Sequence, residues 1–129
     1  MLVKLDHVNI RSRHLDRMVA FYTRVLGLTV GPRPDFSFPG VWLYCGADAV
    51  VHLIGVNEEI KTDGLKIEHF AFRGENLEEF IGRLQAEKVP YRLANVPGWP
   101  LVQVNVWDCD GNHIHVDFEQ TEDERNLET

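Results

Sequence analysis

Four histidines lie inside short apolar runs of this chain: Asp6-His7-Val8, Val51-His52-Leu53, Glu68-His69-Phe70 and Ile114-His115-Val116. Imidazole is the commonest ligand for zinc, nickel, cobalt, copper and iron, and ligands contributed from several strands make a rigid site. The spacing carries the argument. His7 and His69 stand 62 positions apart, and His52 and His115 stand 63 apart. Six of the 129 residues are histidine, so three further histidines at prescribed positions is a chance event on the order of one in ten thousand. Four neutral imidazoles leave the charge of a divalent ion uncompensated, which favours an anionic, bidentate oxygen ligand.

The elements that must position these histidines follow from periodicity. Leu2–Arg11 is predicted as a strand, and Leu15–Leu26 carries a helical apolar stripe closed by Gly27. Leu28–Gly31 starts a second strand, the proline-rich stretch Pro32–Gly40 is a loop, and strands Val41–Cys45 and Ala49–Val56 follow. After a polar linker over 57–64 the same order returns: strand Leu65–Arg73, helix Leu77–Glu87, and strands Tyr91–Ala94, Leu101–Trp107 and Asn112–Glu119. The helices keep the offset too, Leu15 matching Leu77 and Val19 matching Ile81. Within a strand the side chains alternate, so His7 shares a face with Asn9 and Arg11, and His69 with Ala71 and Arg73. Val8 and Ile10, or Phe70 and Phe72, form the opposite face and should meet the helix. The polar, acidic tail over 120–129 is expected to be disordered.

Composition narrows the function classes. Thirteen Lys and Arg against twenty Asp and Glu give a net charge of -7, which repels nucleic acid and anionic membrane surfaces. Apolar runs fall far short of the roughly 20 residues that span a membrane, and residues 1–7 lack the pattern of a secretory signal. A cytoplasmic protein is expected. Cys45 and Cys109 are too few for a disulfide framework and are expected to be reduced packing residues.

Four segments carry a resemblance to a known family. They are Leu5-Asp6-His7-Val8, Phe21-Tyr22-Thr23-Arg24-Val25-Leu26-Gly27-Leu28, Ile67-Glu68-His69-Phe70-Ala71-Phe72 and Asp108-Cys109-Asp110-Gly111-Asn112. The chain resembles, from Leu5 to about Glu119, the vicinal oxygen chelate superfamily of glyoxalases, fosfomycin and bleomycin resistance proteins and extradiol dioxygenases. The resemblance implies an α+β fold of two βαβββ modules, each curling into half a barrel of mixed sheet. That is one domain over 1–119, with modules 1–56 and 65–119. It also implies one divalent metal ion per site (Zn, Ni, Co, Fe or Mn), with ligand positions falling on His7, His52, His69 and His115.

One departure matters. The family usually has glutamate where His115 stands, and glyoxalase-like isomerases tend to have a carboxylate where His52 stands. Neither carboxylate is present, nor does this set reproduce the two-histidine, one-carboxylate triad of extradiol dioxygenases. A shift of two residues along the last strand puts His113 or Asp117 on the face of His115, as an alternative ligand or the missing proton carrier. Arg11, Arg33 and Arg73 are candidates for holding a carboxylate or phosphate. Phe36, Phe38 and Trp42 are candidates for lining a pocket, with the loop that bears the two phenylalanines as a lid. The expectation is a metal-dependent enzyme acting on a small oxygen-rich anion by bidentate chelation, a lyase or isomerase ahead of a ring-cleaving dioxygenase. Sequestration of a small molecule without catalysis is the competing class, and a homodimer is expected.

Overall fold

A computed structural model describes Met1 and residues 3–61 and 67–120. The chain divides into two compact units, Met1–Gly64 and Leu65–Thr129. Their element orders are the same. The first has β1 (Val8–Ser12), helix α1 (Leu15–Ala20) running into a π-helical turn (Phe21–Val25), β2 (Thr29–Gly31), β3 (Gly40–Cys45) and β4 (Asp48–Gly55). The second has β5 (His69–Arg73), α2 (Leu77–Ala86), β6 (Arg92–Asn95), β7 (Leu101–Trp107) and β8 (His113–Glu119). Each unit is an open, curved, mixed sheet of four strands, ordered β1-β4-β3-β2 or β5-β8-β7-β6. The α+β arrangement of two βαβββ modules is therefore present.

Register shows the repeat more sharply than element order. The parallel pair β1/β4 sets Asn9 against His52, and the parallel pair β5/β8 sets Ala71 against His115. Val8 opposes Val51 as Phe70 opposes Ile114. Paired residues share a face, so within each sheet the apolar positions lie on one of its two faces. There Met18, Tyr22, Leu43, Val51 and Leu53 are buried in the first unit, and Leu84, Val102, Val104, Val106 and Ile114 in the second. Phe80 of α2 meets Phe118 of β8 at a ring separation of 5.5 Å.

Local chemistry sets the helix ends. Asn76 caps α2 by accepting from the Glu79 amide at 3.2 Å, and its own amide reaches the Glu79 carboxylate at 3.2 Å. In the first unit the Thr23 hydroxyl donates to the Val19 carbonyl at 2.8 Å. That bond competes with the regular helical ladder, and the Leu26 amide then reaches five residues back to Phe21 at 3.3 Å. The expected helix over Leu15–Leu26 is thus α-helical only to Ala20, and Gly27, at φ +79°, ends it. The strands expected to begin at Leu2 and Leu65 begin instead at Val8 and His69. Leu2, Leu65 and the end of the linker lie outside the described residues, as does the tail from 121 onward.

The Asp108-Cys109-Asp110-Gly111-Asn112 motif forms a closed turn between β7 and β8. The Asp108 carboxylate accepts from the amides of Asp110 (3.0 Å) and Asn112 (2.9 Å) and from the Asn112 side chain (2.8 Å). Gly111 takes φ +84°, the left-handed region glycine occupies without strain. The motif positions β8 rather than contributing chemistry. Neither Cys45 nor Cys109 is in a disulfide, and Cys45 is exposed rather than packed. Asp108 is 5% exposed, so Asp108→Ala leaves its donors without their charged acceptor and should cost about 3 kcal/mol. Urea unfolding checks this, with Asp108→Asn expected between the variant and the wild type.

Candidate metal centre

The face of the second sheet opposite its core gathers that sheet's histidines with several other polar side chains. His69 pairs with His113, Ala71 with His115 and Arg73 with Asp117 across β5/β8, while β7 sets Asn105 against His115 and Trp107 against His113. Alternation therefore places three imidazoles on one surface. Their rings are close: His69 lies 4.5 Å from His115 and 5.2 Å from His113, centroid to centroid. Glu68, immediately before β5, turns its carboxylate onto this face. It contacts Nδ1 of His69 and lies 3.0 Å from Nδ1 of His113. One donor atom from each of Glu68, His69 and His113 can be chosen so that all three lie within 4.8 Å of one another.

This donor set fits a divalent cation. Two imidazoles and a carboxylate are borderline and hard donors of the kinds that zinc, iron, cobalt and manganese accept. Ring nitrogens of His113 and of the neighbouring His115 are also held. His113 Nε2 meets the Asn105 side-chain oxygen at 2.8 Å, and His115 Nδ1 meets Asp117 Oδ1 at 2.6 Å. Partners of this type fix the tautomer of a ligating imidazole. The bonds from His69 and then His113 hold the Glu68 carboxyl below the usual carboxylate range, so it is ionised at neutral pH.

The first unit presents a different arrangement. His7 stacks on His52 at 3.8 Å with 12° between planes, and Trp42 stacks on His52 at 3.9 Å with 8°. His7 Nδ1 bonds Asp6 at 2.7 Å, which lowers the pKa of that carboxyl, and His52 Nε2 donates to the Ala49 carbonyl at 3.0 Å. Ring nitrogens point in the plane of the ring, so near-parallel stacked imidazoles do not aim their lone pairs at one point. The rings line an open pocket of about 530 Å³ with Asp6, Tyr44 and Asp48.

The other candidates fall elsewhere. Arg11 pairs with Glu58 at 3.6 Å, and Arg73 pairs with Glu119 at 3.1 Å. Arg33 lies over the rings of Phe36 and Phe38, 4.9 and 5.1 Å from their centroids, and donates to the Phe38 carbonyl at 3.0 Å, fastening the proline-rich loop to itself. Trp42 is the one aromatic candidate that meets a histidine. Sequence reasoning missed Glu68, Asn105 and Trp107. A signal for Glu68 existed, since Asp6-His7 and Glu68-His69 repeat at the same offset as the histidines.

Two mixed sheets of βαβββ order, with histidines at matching positions of the repeat and a candidate cation site in the second, define a duplicated scaffold. The chain belongs to the Glyoxalase/Bleomycin resistance protein/Dioxygenase superfamily, whose family model matches residues 4–116. Members of this superfamily generally bind a divalent metal ion and small-molecule substrates. The chain is 29% identical over 123 residues to an Arabidopsis thaliana protein named Glyoxylase I 4, covering 89% of this chain and 70% of that one. A glyoxalase family protein of Bacillus anthracis has the same fold, with a TM-score of 0.77 at 22% identity over 93% of this chain and 98% of that one. The trypanothione-dependent glyoxalase I of Leishmania major superposes with a TM-score of 0.67 at 25% identity, over 98% of this chain and 94% of that one.

Burial, and then the neighbouring His7, push the His52 pKa below its ordinary value of 6.5. As pH falls through that ordinary value the unfolded chain takes up a proton that the folded chain resists, so stability is present above it and declines below. Urea unfolding in chelator from pH 8 to pH 5 should show a steeper loss for the wild type than for His52→Asn. The difference should not exceed about 1.4 kcal/mol per pH unit, the limit for one proton.

Proposed function

We propose that the chain is a divalent-metal-dependent enzyme that acts on a small, oxygen-rich anion held by two of its oxygens, with lyase or isomerase chemistry ahead of oxygenation. The observation that carries this reading is the convergence of Glu68, His69 and His113 on one face of the second sheet, with His115 beside them. When bound, a divalent ion supplies Lewis-acid polarisation of a substrate oxygen. Glu68, His69 and His113 are the residues proposed to hold it. His115 lies beside them with its Nδ1 engaged by Asp117. With Glu68 among the donors, part of the cation's charge is still uncompensated, which keeps an anionic chelator favoured over a neutral diol. The glyoxalase names of the Arabidopsis and Leishmania relatives support the lyase or isomerase side.

A second reading has an observation of its own. Two histidines and one carboxylate are the ligand set of non-haem iron(II) oxygenases. The four histidines taken alone did not reproduce that set, and Glu68 completes it on the second sheet. The set expected from the repeat, His7, His52, His69 and His115, is the alternative to these ligands and not an addition to them. We also propose a cytoplasmic homodimer organised on modules 1–56 and 65–119, and anion contacts from Arg11, Arg33 and Arg73.

Metal analysis of protein purified without chelator tests the reading. About one divalent ion per chain is expected in the wild type, with at least a tenfold loss of affinity in His69→Ala and Glu68→Gln. Stoichiometric metal retained by His69→Ala contradicts the assignment. His52→Ala separates the ligand sets: retained metal assigns the ion to the second unit's residues, and lost metal assigns it to all four imidazoles.

A further inference from the structure

Asn105 sits in the middle of the second sheet, 4% exposed, and its side chain touches two neighbours. Its amide nitrogen donates to the Arg92 carbonyl on β6 at 3.2 Å, and its oxygen lies 2.8 Å from His113 Nε2 on β8. A backbone carbonyl can only accept, so the amide group must face Arg92. The oxygen is then left for His113, and an oxygen can only accept from a ring nitrogen that carries hydrogen. Nε2 of His113 thereby carries hydrogen: the imidazolium donates from Nδ1 to Glu68 as well, whereas the neutral ring is the Nε2–H tautomer with its lone pair on Nδ1.

That outcome runs against the preference of the nearest charge. His113 Nδ1 lies 3.0 Å from Glu68 Oε1, and a carboxylate beside a neutral imidazole draws the ring proton toward itself. Left to Glu68, the proton would sit on Nδ1 and no donor would face the cluster. Trp107 stacks on the His113 ring at 5.0 Å and 12°, which fixes the ring plane but does not choose between the nitrogens. The choice falls to Asn105.

We propose that Asn105 is a positioning residue that holds His113 as the Nε2–H tautomer against the pull of Glu68, so that Nδ1 is offered as a donor to a cation. Its use for a cation rests on the metal-dependent reading above, whereas the tautomer does not. The repeat supports a role particular to this unit. Asn105 pairs with His115 where Trp42 pairs with His52 in the first sheet, and position 50, equivalent to His113, is valine. Where there is no second imidazole to orient, the asparagine is absent too.

The test is long-range nitrogen–proton NMR of ¹⁵N-histidine protein at pH 9 in chelator, with calorimetric titration of Zn²⁺ on the same samples. Wild type is expected to show His113 as Nε2–H. Asn105→Leu removes the acceptor at similar volume, so the proton should move to Nδ1 and Zn²⁺ affinity should fall by about 10- to 100-fold. Asn105→Asp keeps an acceptor for Nε2 while losing the bond to Arg92. It should be less stable yet keep the Nε2–H tautomer and bind Zn²⁺ within about threefold of wild type. A wild type already in the Nδ1–H form overturns the proposal even if Asn105→Leu does not fold. So does an Asn105→Leu protein that keeps the wild-type tautomer and affinity, or an Asn105→Asp protein that loses both. A wild type that binds no Zn²⁺ while its tautomer responds as described overturns the metal reading and leaves the positioning role supported.

Discussion

In each sheet one face is apolar and the other carries the polar residues, and the period of two along a strand assigns every strand residue to one or the other. Val102, Val104, Val106, Ile114 and Phe118 must leave water together. A slip of one residue in β8 would carry Ile114 and Phe118 off the apolar face and turn His113, His115 and Asp117 into it, exchanging favourable apolar burial for unpaired polar groups. The core thus holds the polar constellation in register. The parallel pairing of β5 with β8 then brings His69 level with His113, and the closed turn built on Asp108 fixes where β8 starts.

The two units spend the same frame differently. Equivalent positions carry Asp6 and Glu68, His7 and His69, Val50 and His113, Trp42 and Asn105. The first unit therefore stacks aromatic rings, His7 on His52 on Trp42, an arrangement held by contact area and ring polarity. The second places three imidazoles and two carboxylates where each polar atom needs a proton or a cation between itself and its neighbour. Duplication accounts for the shared backbone, and a handful of side-chain differences accounts for the difference in chemistry.

Much of this was legible in the residues. Repeat offset, strand alternation and the histidine positions gave the βαβββ order, the apolar faces and the surface on which His69, His113, His115 and Asp117 lie, because each depends only on local period. Glu68 was not visible as part of the site, since alternation assigns it to the face opposite His69. It reaches the cluster because β5 begins only at His69 and the residue before a strand is free of its pleat. Asn105 and Trp107 were hidden for another reason: their roles depend on which residue of β8 each opposes, and cross-strand register is not written in a single strand. The helix over Leu15–Leu26 changed pitch at Phe21 through a threonine hydroxyl, a competition that an apolar stripe does not reveal.

The central claim is that the second unit's polar face holds a divalent cation through Glu68, His69 and His113. Anomalous diffraction from crystals of the chain grown with Zn²⁺ tests it most directly, because it locates the ion independently of any variant. The account expects one strong anomalous peak per chain on that face, with imidazole nitrogens of His69 and His113 and an oxygen of Glu68 each within about 2.0–2.2 Å. A strong peak elsewhere, or one on this face with Glu68 beyond bonding distance, contradicts it.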